Sequence, residues 1–170
     1  MLENRGLRHC EPCRYNIDIQ LATDHDYIPR PSLLRKWAKF ALGRKIKSAE
    51  ITLRIVDGKE MKDLNETYRQ KKGLTNVLSF PFTIPDEVKL DIPILGDIVI
   101  CAEVVNREAE EQKKTPEAHW AHMIVHGVFH LLGYDHEEDS EAQIMETLET
   151  EIMQQLGYKN PYETGENESS

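Results

Sequence analysis

At 170 residues and 39% hydrophobic content the chain is long enough to bury one ordinary core without disulfides, and short enough to be a single domain. No apolar run approaches the ~20 residues of a membrane span and no apolar signal-peptide segment is seen at the N-terminus, so no membrane partner and a cytoplasmic location are expected. The net charge of −9 speaks against a nucleic-acid partner only until it is mapped, because residues 137–170 hold ten acids against Lys159 alone, which leaves the rest of the chain neutral with local basic clusters.

The first fourteen residues read as an N-terminal extension that frays. Cys10 and Cys13 have the spacing of a redox or zinc clip, but no second pair exists to complete a four-thiolate site. With Cys101 the cysteines number three, an odd count without a framework, which agrees with a reducing compartment.

Tyr15 to Leu21 alternates, with Ile17, Ile19 and Leu21 on one face, and reads as a first strand. Pro29 and Pro31 break it. Ser32 then caps a helix in which Leu33, Leu34, Trp37, Phe40 and Ala41 recur at helical spacing up to Gly43. Arg30 to Lys47 carries seven cations and no acid, and is either a solvated helix face or a track for phosphates. Glu50 to Val56 is a second strand with Ile51, Leu53 and Ile55 inward. Asp57 and Glu60 make a capping box that opens a helix with Met61, Leu64 and Tyr68 toward the core.

After a second basic cluster at Arg69, Lys71 and Lys72, Val77, Leu78 and Phe80 form a short strand, and Pro81, which has no amide hydrogen, places it at a sheet edge. Residues 82–94 read as an exposed loop or ragged edge strand, and Leu95 to Cys101 as the most strand-like run in the chain. Asp97 within it is better read as a strand-end residue than as an orienting carboxylate. Ala102 to Gln112 is a helix with Val104, Val105 and Ala109 on one face. Thr115 caps and Pro116 starts the next. Ser140 and Gln143 open a last helix with Ile144, Leu148, Ile152, Met153 and Leu156 inside, ended by Gly157. The expected fold is an α/β (α+β-like) domain over residues 15–157, a small mixed sheet with about five helices, followed by an acidic tail over 158–170 that frays.

The chemistry concentrates in the helix that Pro116 begins. His126 and His130 lie one helical turn apart, so both imidazoles leave one face. Gly133 stops the helix and lets Tyr134 and Asp135 swing the chain back, returning His136 toward the first two. Three neutral nitrogen ligands with an open fourth position describe a catalytic zinc site holding one ion. Such sites also accept nickel, copper or cobalt. His119 and His122 lie on a neighbouring stripe and read as structural or orienting residues. Asp135 either orients a ligand or stabilises the turn. Where the H-E-x-x-H protease motif carries its glutamate base, this chain has Gly127, for which room for a bulky ligand and close helix packing are the two candidate reasons.

The run His126-Gly-Val-Phe-His-Leu-Leu-Gly-Tyr-Asp-His136 resembles the metal signature of the YbeY family of bacterial endoribonucleases. Tyr68-Arg-Gln-Lys-Lys-Gly-Leu-Thr-Asn-Val-Leu-Ser-Phe-Pro81 and Leu95-Gly-Asp-Ile98 match two further family segments, so the likeness runs from about Tyr15 to Tyr162. Lys72, Leu74 and Asn76 depart from the family's usual Asp, Pro and Asp. The resemblance implies a zinc-dependent, single-strand-specific endoribonuclease in ribosomal RNA maturation and quality control, with His126, His130 and His136 on the metal, Arg69 in catalysis, and precursor ribosomal RNA and the ribosome as partners. An arginine suits that task, since its planar fork grips a phosphate at two points and counters charge gathering on the phosphoryl oxygens. The alternatives are a zinc metallopeptidase-like hydrolase and a non-catalytic ribosome-binding maturation factor braced by zinc.

Overall fold

A computed structural model describes residues 13–134 and 137–163, so Asp135, His136, Cys10 and the last seven residues lie outside the described residues. Its centre is β2 (Ser48–Val56), buried by the alternating Ile51, Leu53 and Ile55. Parallel to β2 on one side runs β1 (Arg14–Ala22) and on the other β4 (Ile94–Cys101). The short strand β3 (Val77–Pro81) pairs antiparallel with β4 and closes the order β1-β2-β4-β3, which puts Pro81 on an edge as expected. Among the described residues the sheet carries five helices, α1 (Pro31–Leu42), α2 (Gly58–Tyr68), α3 (Ala102–Glu111), α4 (Pro116–Leu131) and α5 (Asp139–Gln155). The expected mixed α/β sheet with five helices is what the chain forms.

Ile51, Leu53, Ile55, Ile98 and Ile100 meet Trp37, Trp120, Phe129 and Ile152 from α1, α4 and α5 in the main core. A smaller cluster of Val56, Met61, Leu78, Val99, Cys101 and Val104 fills in beneath α2 and α3. The alternation of β4 divides it between the two, with Ile98 and Ile100 in the first and Val99 and Cys101 in the second.

Several details differ from expectation. Helix α1 starts at Pro31 rather than from a Ser32 cap, because proline's preset φ begins the turn, and Leu33 and Leu34 donate to the Arg30 carbonyl. Asp57 accepts from the Glu60 amide as a cap should, but the Glu60 carboxylate turns to Arg54 at 2.6 Å instead of completing the box. Leu21 and Phe40 are exposed, and Tyr68 leaves the core to lie edge-on against Phe80. In α5, Glu138 stands at the cap without a side-chain bond, Ile144 faces solvent, and Met145 and Glu149 take the inner face. The segment read as a fraying tail is held over its first six residues: Tyr158 donates to Glu117, Lys114 donates to the Pro161 carbonyl at 2.6 Å, and Pro161 is buried.

Candidate metal centre and cationic cleft

Thr115 accepts from the Ala118 amide and Pro116 occupies the first turn, so α4 begins where the sequence placed it. Apolar on nearly every side, the helix runs through the middle of the core. Its end is a Schellman turn: Gly133 sits at φ 97°, its amide donates to His130, the Tyr134 amide donates to Phe129, and the Phe129 and Tyr134 rings close the motif at 5.4 Å. The expected glycine stop is therefore present, while the path that returns His136 lies outside the described residues.

His126 and His130 are half-buried, and their Nε2 atoms approach to 3.1 Å with the rings crossed at 76°. Two nitrogens bound to one tetrahedral zinc at about 2.0–2.1 Å would stand about 3.3 Å apart, so the pair fits one ion with little movement. Two imidazoles make a donor set suited to such a cation, which a third histidine would extend. Among the described residues no group of three metal-binding side chains is assembled, as His136 falls outside them.

The other nitrogen of His126 is also engaged. Its Nδ1 lies 2.8 Å from Glu149 Oε1, which His122 Nε2 reaches at 3.0 Å, while the Tyr162 hydroxyl donates to Oε2 at 2.7 Å. Glu149 is 1% exposed. Burial pushes its carboxyl upward, but the hydrogen bonds and charge of His122 and His126 prevail and hold it well below the usual carboxylate range. Burial lowers the pKa of His122 against the opposing hydrogen bond and charge of Glu149. Sequence reasoning counted Glu149 only as one more acid of a charged segment. Its signal was the stripe Met145, Glu149, Ile152, an i, i+4, i+7 series that puts a carboxylate on the buried side of α5.

His126 and His130 open on a cleft of about 770 Å³ whose lining also includes Arg69, Lys71 and Lys72. Arg69 stands at the C-terminal cap of α2, donating its amide to the Asn65 carbonyl. Gln70 follows at φ 55°, and the buried Asn65 side chain donates to the Gly73 carbonyl at 3.0 Å, so the basic loop has a defined shape. The three departures from the family pattern, Lys72, Leu74 and Asn76, all line the cleft. Asn76 accepts from the Val77 amide and donates to Glu108 at 3.0 Å, a bond that an ionised aspartate could not make. His119 turns away from the cleft to Glu108, at 3.0 Å. Asp97 takes a hydrogen bond from its cross-strand partner Thr52, while burial raises its carboxyl pKa, and it does not line the cleft. Cys13 is exposed and Cys101 buried.

Gly127 has a physical reason. A Cβ there would stand 2.9 Å from Ile98 Cγ2 and 3.3 Å from its Cδ1, so α4 rests on β4 at glycine distance and Ser79 donates to the Gly127 carbonyl at 3.1 Å. Of the two candidates the sequence left open, close helix packing is the one realised.

Fold and site together define a small α/β protein in which two convergent imidazoles face a cationic cleft. The family model described as Endoribonuclease YbeY matches residues 21–157. Curated proteins of that name from Pseudomonas putida strains F1 and W619 are 54% and 53% identical over 153 residues, covering 90% of this chain and 96% of each relative. The chain belongs to the YbeY endoribonuclease family. The solution structure of TM1509 from Thermotoga maritima shares its fold, with a TM-score of 0.53 at 24% identity over 86% of this chain and 99% of that one. Among the described residues no helix is long and apolar enough to cross a membrane.

Proposed function

We propose that the chain is a zinc-dependent endoribonuclease that cleaves single-stranded RNA during ribosomal RNA maturation and quality control, with the ribosome as its setting. The observation that carries the proposal is the sharing of one cleft by the Nε2 pair of His126 and His130 and the cations Arg69, Lys71 and Lys72. His126, His130 and His136 would hold one ion, His136 on the strength of the motif alone. When bound, zinc would supply Lewis acidity toward a phosphoryl oxygen and activation of water at neutral pH. Arg69 grips the scissile phosphate at two points and counters the charge that gathers in the transition state. Lys71 and Lys72 hold neighbouring phosphates, and the RNA brings its own 2′-hydroxyl to the cleft.

A peptidase is disfavoured by Gly127, because a glutamate base there would drive its Cβ into Ile98. The test compares R69A and H130A with the unaltered chain for zinc content, folding and cleavage of a precursor ribosomal RNA fragment. R69A is expected to keep its zinc and fold while losing about 10²–10³-fold in turnover, and H130A to lose zinc and cleavage together. Normal processing by R69A would remove it from the mechanism, and cleavage of an unstructured peptide with RNA left intact would replace the nuclease with a peptidase. Collapse of folding in H130A without any separate loss of turnover would make the ion a brace.

A further inference from the structure

We infer that Glu149 is a positioning residue for the metal centre: it fixes His126 as the Nδ1–H tautomer, aims the Nε2 lone pair at His130, and draws Tyr162 of the C-terminal segment into the site. The inference rests on the reading of His126 as a metal ligand and adds residues that the histidine motif does not contain.

A carboxylate buried to 1% exposure costs several kcal/mol in lost hydration unless its oxygens are saturated with donors. Glu149 meets three donors, at least one on each oxygen. His122 and His126 reach Oε1, and Tyr162 reaches Oε2. A carboxylate ion only accepts, so each imidazole facing it must present an N–H. A neutral ring has a single N–H, so placing it on Nδ1 of His126 leaves Nε2 as the lone-pair nitrogen. That atom is the one 3.1 Å from His130 Nε2. An imidazole bonded through one nitrogen to a carboxylate is also more basic at the other, which strengthens it as a ligand.

The carboxylate comes from α5, and Tyr162 from the chain seven residues past that helix. Lys114 clamps the same segment through the Pro161 carbonyl, next to buried Pro161. The segment after α5 is thereby part of the support on which the histidine helix depends. A purely structural Glu149, seaming α4 to α5, would leave the affinity of His126 for zinc untouched when the carboxylate is replaced.

The tautomer on which the inference stands is measurable without metal or substrate. In metal-free protein labelled with ¹⁵N-histidine, near neutral pH, His126 is expected to show a protonated Nδ1 and an unprotonated Nε2. A His126 found as the Nε2–H tautomer overturns the inference, and since this readout needs no altered residue, it survives any variant that fails to fold. E149M keeps volume but offers no acceptor, so it should mix the tautomers and weaken zinc, measured against a chelating competitor, by about 10–100-fold. E149Q can keep its carbonyl toward both imidazoles and its amide toward Tyr162, so it should retain the tautomer and bind zinc within tenfold of the unaltered chain. A folded E149M with unchanged zinc affinity and tautomer would reduce Glu149 to a structural seam. Should the unaltered chain fail to bind zinc through His126 while the tautomer is as expected, the metal reading falls and takes the metal-positioning role with it, leaving Glu149 as the group that fixes the His126 tautomer.

Discussion

Gly127→Ala tests the closeness of helix to sheet beneath the candidate metal centre. At an open position inside a helix, alanine in place of glycine stabilises by about 1 kcal/mol. Here the new Cβ would lie 2.9 Å from Ile98 Cγ2, well inside the ~3.5–4.0 Å at which carbon atoms rest. Ile98 cannot move aside easily: it is β-branched, fully buried, and hydrogen-bonded on a strand flanked by β2 and β3. Overpacking of that kind costs about 1–3 kcal/mol, which outweighs the helix gain and leaves a net loss of about 1 kcal/mol.

Urea unfolding followed by the fluorescence of buried Trp37 and Trp120 reads the difference as a lower midpoint at unchanged slope. The companion change Ile98→Ala removes the obstacle and by itself costs about 2–5 kcal/mol. In that background Gly127→Ala should stabilise by about 1 kcal/mol, giving a coupling of about 2 kcal/mol between the two positions. If Gly127→Ala raises stability in the otherwise unaltered chain, or if the two changes simply add, the helix has slack over the strand. The steric case against a glutamate base at this position would then fall as well.

Gly127 also marks where reading a sequence stops. The H-x-x-x-H spacing told that two imidazoles share a face, because helical geometry alone dictates it. That Ile98 lies beneath Gly127 is a matter of which strand the helix crosses, and no local pattern carries that. The strands were legible through the alternation of Ile51, Leu53 and Ile55, and β3 through Pro81, since these follow from pleat and missing amide. The apolar face of α5 was read from Ile144, Leu148, Ile152, Met153 and Leu156, and of these only Ile144 faces solvent; Met145 and Glu149 complete the inner face, and a reading of apolar positions alone missed the carboxylate behind His126. Charge counting reinforced the error, because a glutamate in an acidic segment is usually solvated. The neighbourhood of Arg69 and His126 was accessible only through family resemblance, for the two are far apart in sequence and meet only across the cleft.

Two further outcomes follow from hydrogen bonds around the cleft. Asn65→Ala deletes the donor to the Gly73 carbonyl and should cost about 1 kcal/mol, speed amide exchange through residues 71–74, and slow RNA cleavage while zinc affinity holds; unchanged exchange in the loop would mean that it keeps its shape without Asn65. Glu108→Gln probes the carboxylate shared by His119 and Asn76: burial raises its pKa, but those hydrogen bonds prevail and the folded value lies below the ordinary 4.5. A depressed carboxyl contributes stability that is present above the unfolded pKa and lost as pH falls through the folded one, so the unaltered chain should be more stable than the variant at pH 7 and lose that margin progressively below pH ~4.5. A margin constant from pH 7 to pH 3 would show that the bonds to His119 and Asn76 act through geometry rather than through the charge on Glu108.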